Sequence, residues 1–174
     1  MKKSRNYLFS MLILSLTAIS CDELIDQLNL DFTVGPHRVE FTIEPANQGD
    51  IFNEFDVYIH ELTEEVEAKG GKMDQLDKVS LKSATISIVS GAPNFNAFES
   101  FDVFIKTPLK AEKKIASMES VPMDVTSIVP VVISDNLKDF MLEDEYTIVL
   151  KGVLRETITQ NVNLEAEIYF DINL

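Results

Sequence analysis

The 174-residue chain has one cysteine, Cys21, and no tryptophan. A single cysteine has no partner for an internal bridge, so a disulfide-stapled scaffold is excluded. There are only two histidines, His37 and His60, and no paired His/Cys spacing suits a zinc site. The six glycines form neither GxGxxG nor GxxxxGK[ST], which leaves no phosphate-cradling loop. No Gly-x-Ser-x-Gly elbow occurs, so a Ser/His/Asp triad would have to assemble in space. Positive charge is scarce: 15 Lys and Arg face 29 Asp and Glu, for a net charge of −14. Phosphate backbones are repelled by such a surface, and a nucleic-acid partner is not expected. No apolar run reaches the roughly 20 residues of a spanning helix. There is also no low-complexity tract, no convincing repeat and no βαβ rhythm.

What is present is 45% hydrophobic and 25% charged, enough for one packed domain and against wholesale disorder. A chain of this size buries about 68–70% of its unfolded surface and needs no metal to fold.

The N-terminus carries the strongest signal. Lys2, Lys3 and Arg5 precede a mostly apolar run from Tyr7 to Ile19. The run is too short to span a bilayer and has the form of a secretory signal peptide over residues 1–20. It ends in Ala18-Ile19-Ser20-Cys21, which resembles a bacterial lipobox. That resemblance implies cleavage before Cys21 and acylation of its thiol and new amino group. The alternative is an ordinary signal peptide with a free cysteine beside the cut. Each buried CH₂ of an acyl chain contributes about 0.8 kcal/mol to membrane binding. The cut would leave 12 basic residues against 29 acidic ones, a net charge of −17. Such a surface has no electrostatic attraction to anionic lipid, so the anchor at Cys21 should carry the membrane affinity.

Residues 21–34 read as a lipidated leader and linker. Asp22, Glu23 and Asp26 follow the cysteine. Acids there resemble the surface-export signal of Bacteroidota-type lipoproteins, and Asp after the cysteine also resembles an enterobacterial inner-membrane retention signal. The two imply opposite addresses, and a plain solvated leader is the third reading. Leu24, Ile25 and Leu28 could share one face of a short helix.

Residues 35–174 read as one all-β domain. Val162, Leu164, Ala166, Ile168, Phe170 and Ile172 alternate with polar residues, the pattern of a strand with one face on a core. Val39/Phe41/Ile43, Phe55/Val57/Ile59, Ala84/Ile86/Ile88, Phe101/Val103/Ile105 and Tyr146/Ile148/Leu150 repeat it. Leu81 is out of phase with Ala84, which predicts a bulge or a strand start near Ser83. Pro130 lies within the β-branched stretch Ser127 to Ile133, which predicts an edge or interrupted strand. Short helices are expected over Leu62 to Lys69, stopped by Gly70-Gly71, and over Asp135 to Met141, capped by Ser134 or Asp135. Turn signals sit at Gly35-Pro36, Pro45 to Asp50, Gly91 to Asn96, Thr107-Pro108 and Glu143 to Glu145. The expected fold is an antiparallel β-sandwich, Greek-key or immunoglobulin-like, with one or two short helices closing its ends. A closed barrel is the runner-up.

The order of the Gly-Gly-stopped helix, Met73 to Val79, Leu81 to Ile88, Phe98 to Lys106, Lys114-Ile115-Ala116 and Asp135 to Met141 resembles the small β-sandwich lipoproteins of Bacteroidota type. The similarity covers roughly residues 38–174. It rests on strand patterns, implies fold and location, and carries over no catalytic residue.

The chemistry-bearing residues are few. His37 follows Pro36 in an expected turn, and His60 ends a strand beside Glu61. Both read as surface histidines. Glu64-Glu65-Glu67 and Glu143-Asp144-Glu145 read as solvated faces and turns, although two acids at the right spacing can cleave a glycoside. Asp135, Asn136 and Asp139 form a loose oxygen cluster, closer to helix capping than to a calcium loop. Tyr58, Tyr169 and Phe104 lie on polar phases. They could serve as a small patch for a protein partner or a sugar. No metal or cofactor is implied. The expected function is non-enzymatic: a lipoprotein of the outer membrane with an accessory or structural role through an envelope protein partner. The alternative is a glycan- or lipid-binding module, and an enzyme ranks last.

Overall fold

A computed structural model describes residues 31–59, 62–133, 135–143 and 145–174, without the side chains of 53–59. The signal peptide, Cys21, the rest of the leader to residue 30, His60, Glu61, Ser134 and Asp144 lie outside the described residues.

Nine strands form among the described residues: β1 (Asp31–Ile43), β2 (Ile51–Ile59), β3 (Lys78–Ser90), β4 (Phe98–Lys106), β5 (Lys113–Met118), β6 (Ser127–Ile128), β7 (Val131–Val132), β8 (Glu145–Leu154) and β9 (Val162–Asn173). Two short helices accompany them, α1 (Leu62–Ala68) and α2 (Lys138–Met141). One sheet has the order β1-β9-β3-β6 and the other β2-β8-β4-β5-β7. Every pairing is antiparallel.

The pairings are nested: β1 with β9, β2 with β8, β3 with β6, β4 with β5. The chain is doubled back on itself and rolled across two sheets, which is the jelly-roll form of the Greek-key sandwich. The antiparallel sandwich is therefore as expected. Its order is not immunoglobulin-like, because that order places the first two strands side by side in one sheet. Here β1 and β2 belong to different sheets, and β9 sits between β1 and β3. Period-two patterning says which residues share a face and nothing about which strands are neighbours.

The core fills the space between the sheets. The apolar residues of β9 are all buried, facing Val39, Phe41 and Ile43 of β1 and Leu81, Ala84 and Ile86 of β3 along the same sheet. From the second sheet come Phe101, Val103, Ile105, Tyr146, Ile148 and Leu150. Phe52, Phe95, Phe98 and Phe101 pack one end, with ring centroids 5.2–5.8 Å apart and mostly edge-on, the geometry aromatic quadrupoles favour.

Three register shifts shape the first sheet. The irregularity foreseen near Ser83 lies between Leu81 and Ser83 of β3, and a further one lies between Ile88 and Ser90 of the same strand. The third is in β1, between Val34 and His37. Gly35-Pro36 is therefore part of a strand and not a turn, and β1 begins at Asp31, before the domain start expected at residue 35. A bulge needs an unusual backbone angle, and Gly35 adopts φ +111° with no side chain to clash.

Pro130 interrupts as expected. Residues before it pair with β3 in one sheet and residues after it pair with β5 in the other, each as the last strand of its sheet. The α1 stop is a Schellman motif: Gly71 N donates to Val66 O (3.0 Å), Gly70 N donates to Glu67 O (2.9 Å), and Gly70 has φ +84°. The second helix is shorter than expected. Asn136, and not Asp135, supplies the acceptor at its start, with Oδ1 accepting from Lys138 N (2.9 Å) and Val79 N (3.3 Å). That amide ties the helix to β3, and Leu137, Phe140 and Met141 are buried beneath it.

Candidate functional site

The first sheet presents a polar outer face. Along β9 the outward residues are Asn163, Glu165, Glu167, Tyr169, Asp171 and Asn173, each half-buried. Arg38 pairs with Glu167 at 2.8 Å, and Thr42 donates to Asn163 at 2.9 Å. The β1 bulge and the β3 bulge near Ser83 fall at one level of β9, between Ile168 and Phe170. A bulge bends its strand and increases the local twist. Beyond the two that flank β9 at this height lies a cleft of about 450 Å³.

The cleft is built from the start of β1 (Asp31, Phe32, Thr33), the start of β3 (Lys78, Ser80, Lys82) and the end of β9 (Asp171, Ile172, Asn173). Lys82 is the residue the β3 bulge inserts. Its ammonium donates to Thr33 Oγ1 (2.6 Å) and to Asp171 Oδ1 (3.1 Å), and Thr33 Oγ1 donates to Asp171 Oδ1 (2.7 Å). Asn173 Nδ2 donates to Asp31 Oδ1. Lys82 and Asp171 remain 49% exposed, so solvent reaches their bonds. The side chains of Lys78 and Ser80 make no hydrogen bond or ion pair among the described residues. Lys78 lies within Coulombic reach of Asp135.

The second sheet presents a different outer face. Val149 and Thr147 lie on the phase opposite the core-facing Tyr146, Ile148 and Leu150, yet they are only 1% and 9% exposed. Val149 stands apart from the core cluster between the sheets. Its register neighbours are Phe104 on β4 and Phe55 on β2. The Phe104 ring is half-buried beneath two ammoniums, Lys151 Nζ at 4.8 Å from its centroid and Lys114 Nζ at 5.5 Å. Each lysine is held by an acid, Lys151 by Glu112 (2.5 Å) and Lys114 by Asp102 (2.7 Å). An apolar centre thus sits inside a rim of paired charges. Phe104 is less open than its polar phase suggested, because lysine stems fold over it.

Phe52 is buried in the core, and β2 pairs with β8 without a break from Ile51 to Ile59. The side chains of Phe55, Val57 and Ile59 lie outside the description.

His37 is not a surface residue. The β1 bulge brings it onto the core phase, 4% exposed, with its ring 5.7 Å from that of Phe170. Among the described residues no histidine lines the cleft. Asp135 is paired with Lys113 at 2.8 Å and accepts from Asn136 N at 2.9 Å. The Lys113 contact, with the amide second, holds its carboxyl below the usual carboxylate range. Its oxygens and those of Asn136 are thereby engaged by an ammonium and by backbone amides. No group of three His, Cys, Asp or Glu with metal-holding geometry occurs among the described residues. Glu65 accepts from Gly35 N at 3.2 Å, Glu64 and Glu67 are exposed, and Glu143 is 3.8 Å from Lys110. Tyr169 is half-buried on the polar face. Cys21, His60, Asp144 and the Tyr58 side chain lie outside the description.

No helix among the described residues is long and apolar enough to cross a membrane. No protein-family model matches the chain, and no curated protein matches it.

Proposed function

We propose that the protein is an outer-membrane lipoprotein, anchored through acylated Cys21, that acts without catalysis as an accessory subunit by binding an envelope protein. The lipobox-like Ala18-Ile19-Ser20-Cys21 behind a basic n-region supports the anchor. The observation that carries the contact reading is the outer face of the second sheet. Val149 is dry without belonging to the core, Phe104 beside it is capped by lysine stems, and charged pairs surround both. An apolar centre within a polar rim is the anatomy of a protein interface. A lipid anchor raises local concentration near a membrane complex, so a modest interface suffices.

The test is crosslinking of native-level protein in intact cells, followed by detergent extraction and mass spectrometry. Cys21→Ala and Phe104→Asp are the two comparisons. A stoichiometric envelope partner that disappears in both supports the reading. A partner that survives Phe104→Asp removes this face from it, and no partner above background removes the accessory role.

A further inference from the structure

We propose that the cleft between the starts of β1 and β3 and the end of β9 binds a neutral saccharide residue. This site lies on the other sheet from the Phe104 face and does not depend on the protein-contact reading.

Three properties lead to this ligand class. First, a concavity of about 450 Å³ lies beside the two bulges that flank β9, within the range of small-molecule sites. Second, the cleft mixes both hydrogen-bonding senses on rigid strands. Asp31 and Asp171 only accept, Lys78 and Lys82 only donate, and Ser80 and Asn173 do both. Vicinal hydroxyls, which donate and accept at once, match such a set, whereas a simple anion or cation would use half of it. Third, charge selects against ions. Two lysines offset two aspartates inside the cleft, and a chain with 29 acids against 15 basic residues repels polyanions.

The bonds already present do not close the site. The Lys82–Asp171 pair is half exposed, so its groups can trade water for ligand hydroxyls. The side chains of Lys78 and Ser80 start without hydrogen-bond partners among the described residues. Among the described residues no indole or tyrosine ring lines the cleft, so the affinity is modest, with a Kd of about 0.1–1 mM.

The experiment is saturation-transfer NMR and calorimetry on the full chain, purified in a zwitterionic detergent without a sugar headgroup. The probes are neutral gluco-, manno-, galacto- and N-acetylglucosamine oligosaccharides, with an oligogalacturonate and inorganic phosphate as anionic comparisons. At least one neutral oligosaccharide is expected to bind. Lys78→Ala and Ser80→Ala should each weaken it by about 5-fold, the loss of one hydrogen bond. Lys114→Ala, on the opposite sheet, should leave it unchanged, and melting curves confirm that each variant is folded. The proposal is overturned if no neutral probe binds at about 10 mM, if only the anions bind, or if Lys78→Ala and Ser80→Ala both bind as the parent does.

Discussion

The β1 bulge can be tested at one atom. A Cβ added to Gly35 would lie 2.6 Å from Ile168 O, 3.2 Å from His37 N and 3.3 Å from Tyr169 Cα, all backbone atoms that cannot swing aside. The residue also has φ +111°. Holding a non-glycine residue in so sparse a region costs about 1–3 kcal/mol, and overpacking against fixed atoms costs about 1–3 kcal/mol more. Gly35→Ala should therefore destabilise the domain by about 3–5 kcal/mol. Gly70→Ala separates the two terms. Gly70 has φ +84° with nothing within 4 Å of the added carbon, so only the dihedral cost of about 1–2 kcal/mol remains. Urea unfolding followed by far-UV circular dichroism suits a chain with no tryptophan. With a slope near 2 kcal/mol/M, the Gly35→Ala midpoint should fall by about 2 M.

The chain has one escape from this clash. It can unpair the start of β1, giving up Asp31↔Asn173 through Val34↔Phe170 and the Thr33–Asp171 bond. Hydrogen exchange would show this as faster exchange at Phe32 to Val34, and the cleft would lose one wall. Equal losses in Gly35→Ala and Gly70→Ala, with unchanged exchange at the start of β1, would refute the steric account of the bulge.

Two further perturbations address packing and electrostatics. Phe101 touches the rings of Phe52, Phe95 and Phe98 and is fully buried. Phe101→Ala should cost about 4 kcal/mol and lower the melting temperature by about 10 °C, and Phe101→Leu should cost under about 1.5 kcal/mol. Calorimetry reads both, and a Leu variant as damaged as the Ala variant would contradict a volume-based account. For Asp135, the depressed folded pKa means that its contribution to stability is present above the unfolded value and lost as pH falls through the folded one. Lys113→Ala should raise the Asp135 titration toward the ordinary value of about 3.9 in carboxyl-detected NMR. An unmoved curve would mean that Lys113 is not the principal cause.

Much of this fold is legible from period-two patterning. The inward residues of β9, the split at Pro130, the Gly70-Gly71 stop and the bulge near Ser83 all follow from single-strand rules. What is not legible depends on neighbours. Gly35-Pro36 carries turn chemistry, and only the pairing of β1 with β9 makes it a bulge. That bulge shifts His37 inward, so its burial was unreadable before the register was known. The cleft needs three strand ends from distant parts of the chain. Its one sequence trace is that Leu81 and Gly35-Pro36 each break the pattern, without any sign that the breaks share a level on β9.

The jelly-roll order gives the two outer faces separate chemistry. The first sheet shows water a row of carboxylates, amides and hydroxyls, and directly opposed carboxylates at Glu40 and Glu165. Like charges facing each other across a strand pair cost stability, so this face is not optimised for folding alone. The second sheet buries Val149 and Thr147 on the phase opposite its core-facing residues. Because the two faces are separated by the whole core, their perturbations should add without coupling. Phe104→Asp should abolish partner crosslinking and leave saccharide binding intact, while Lys78→Ala should weaken saccharide binding by about 5-fold and leave crosslinking intact. A variant at either face that changed both readouts would mean that the sandwich transmits between its sheets, and the faces would then have to be treated as one site.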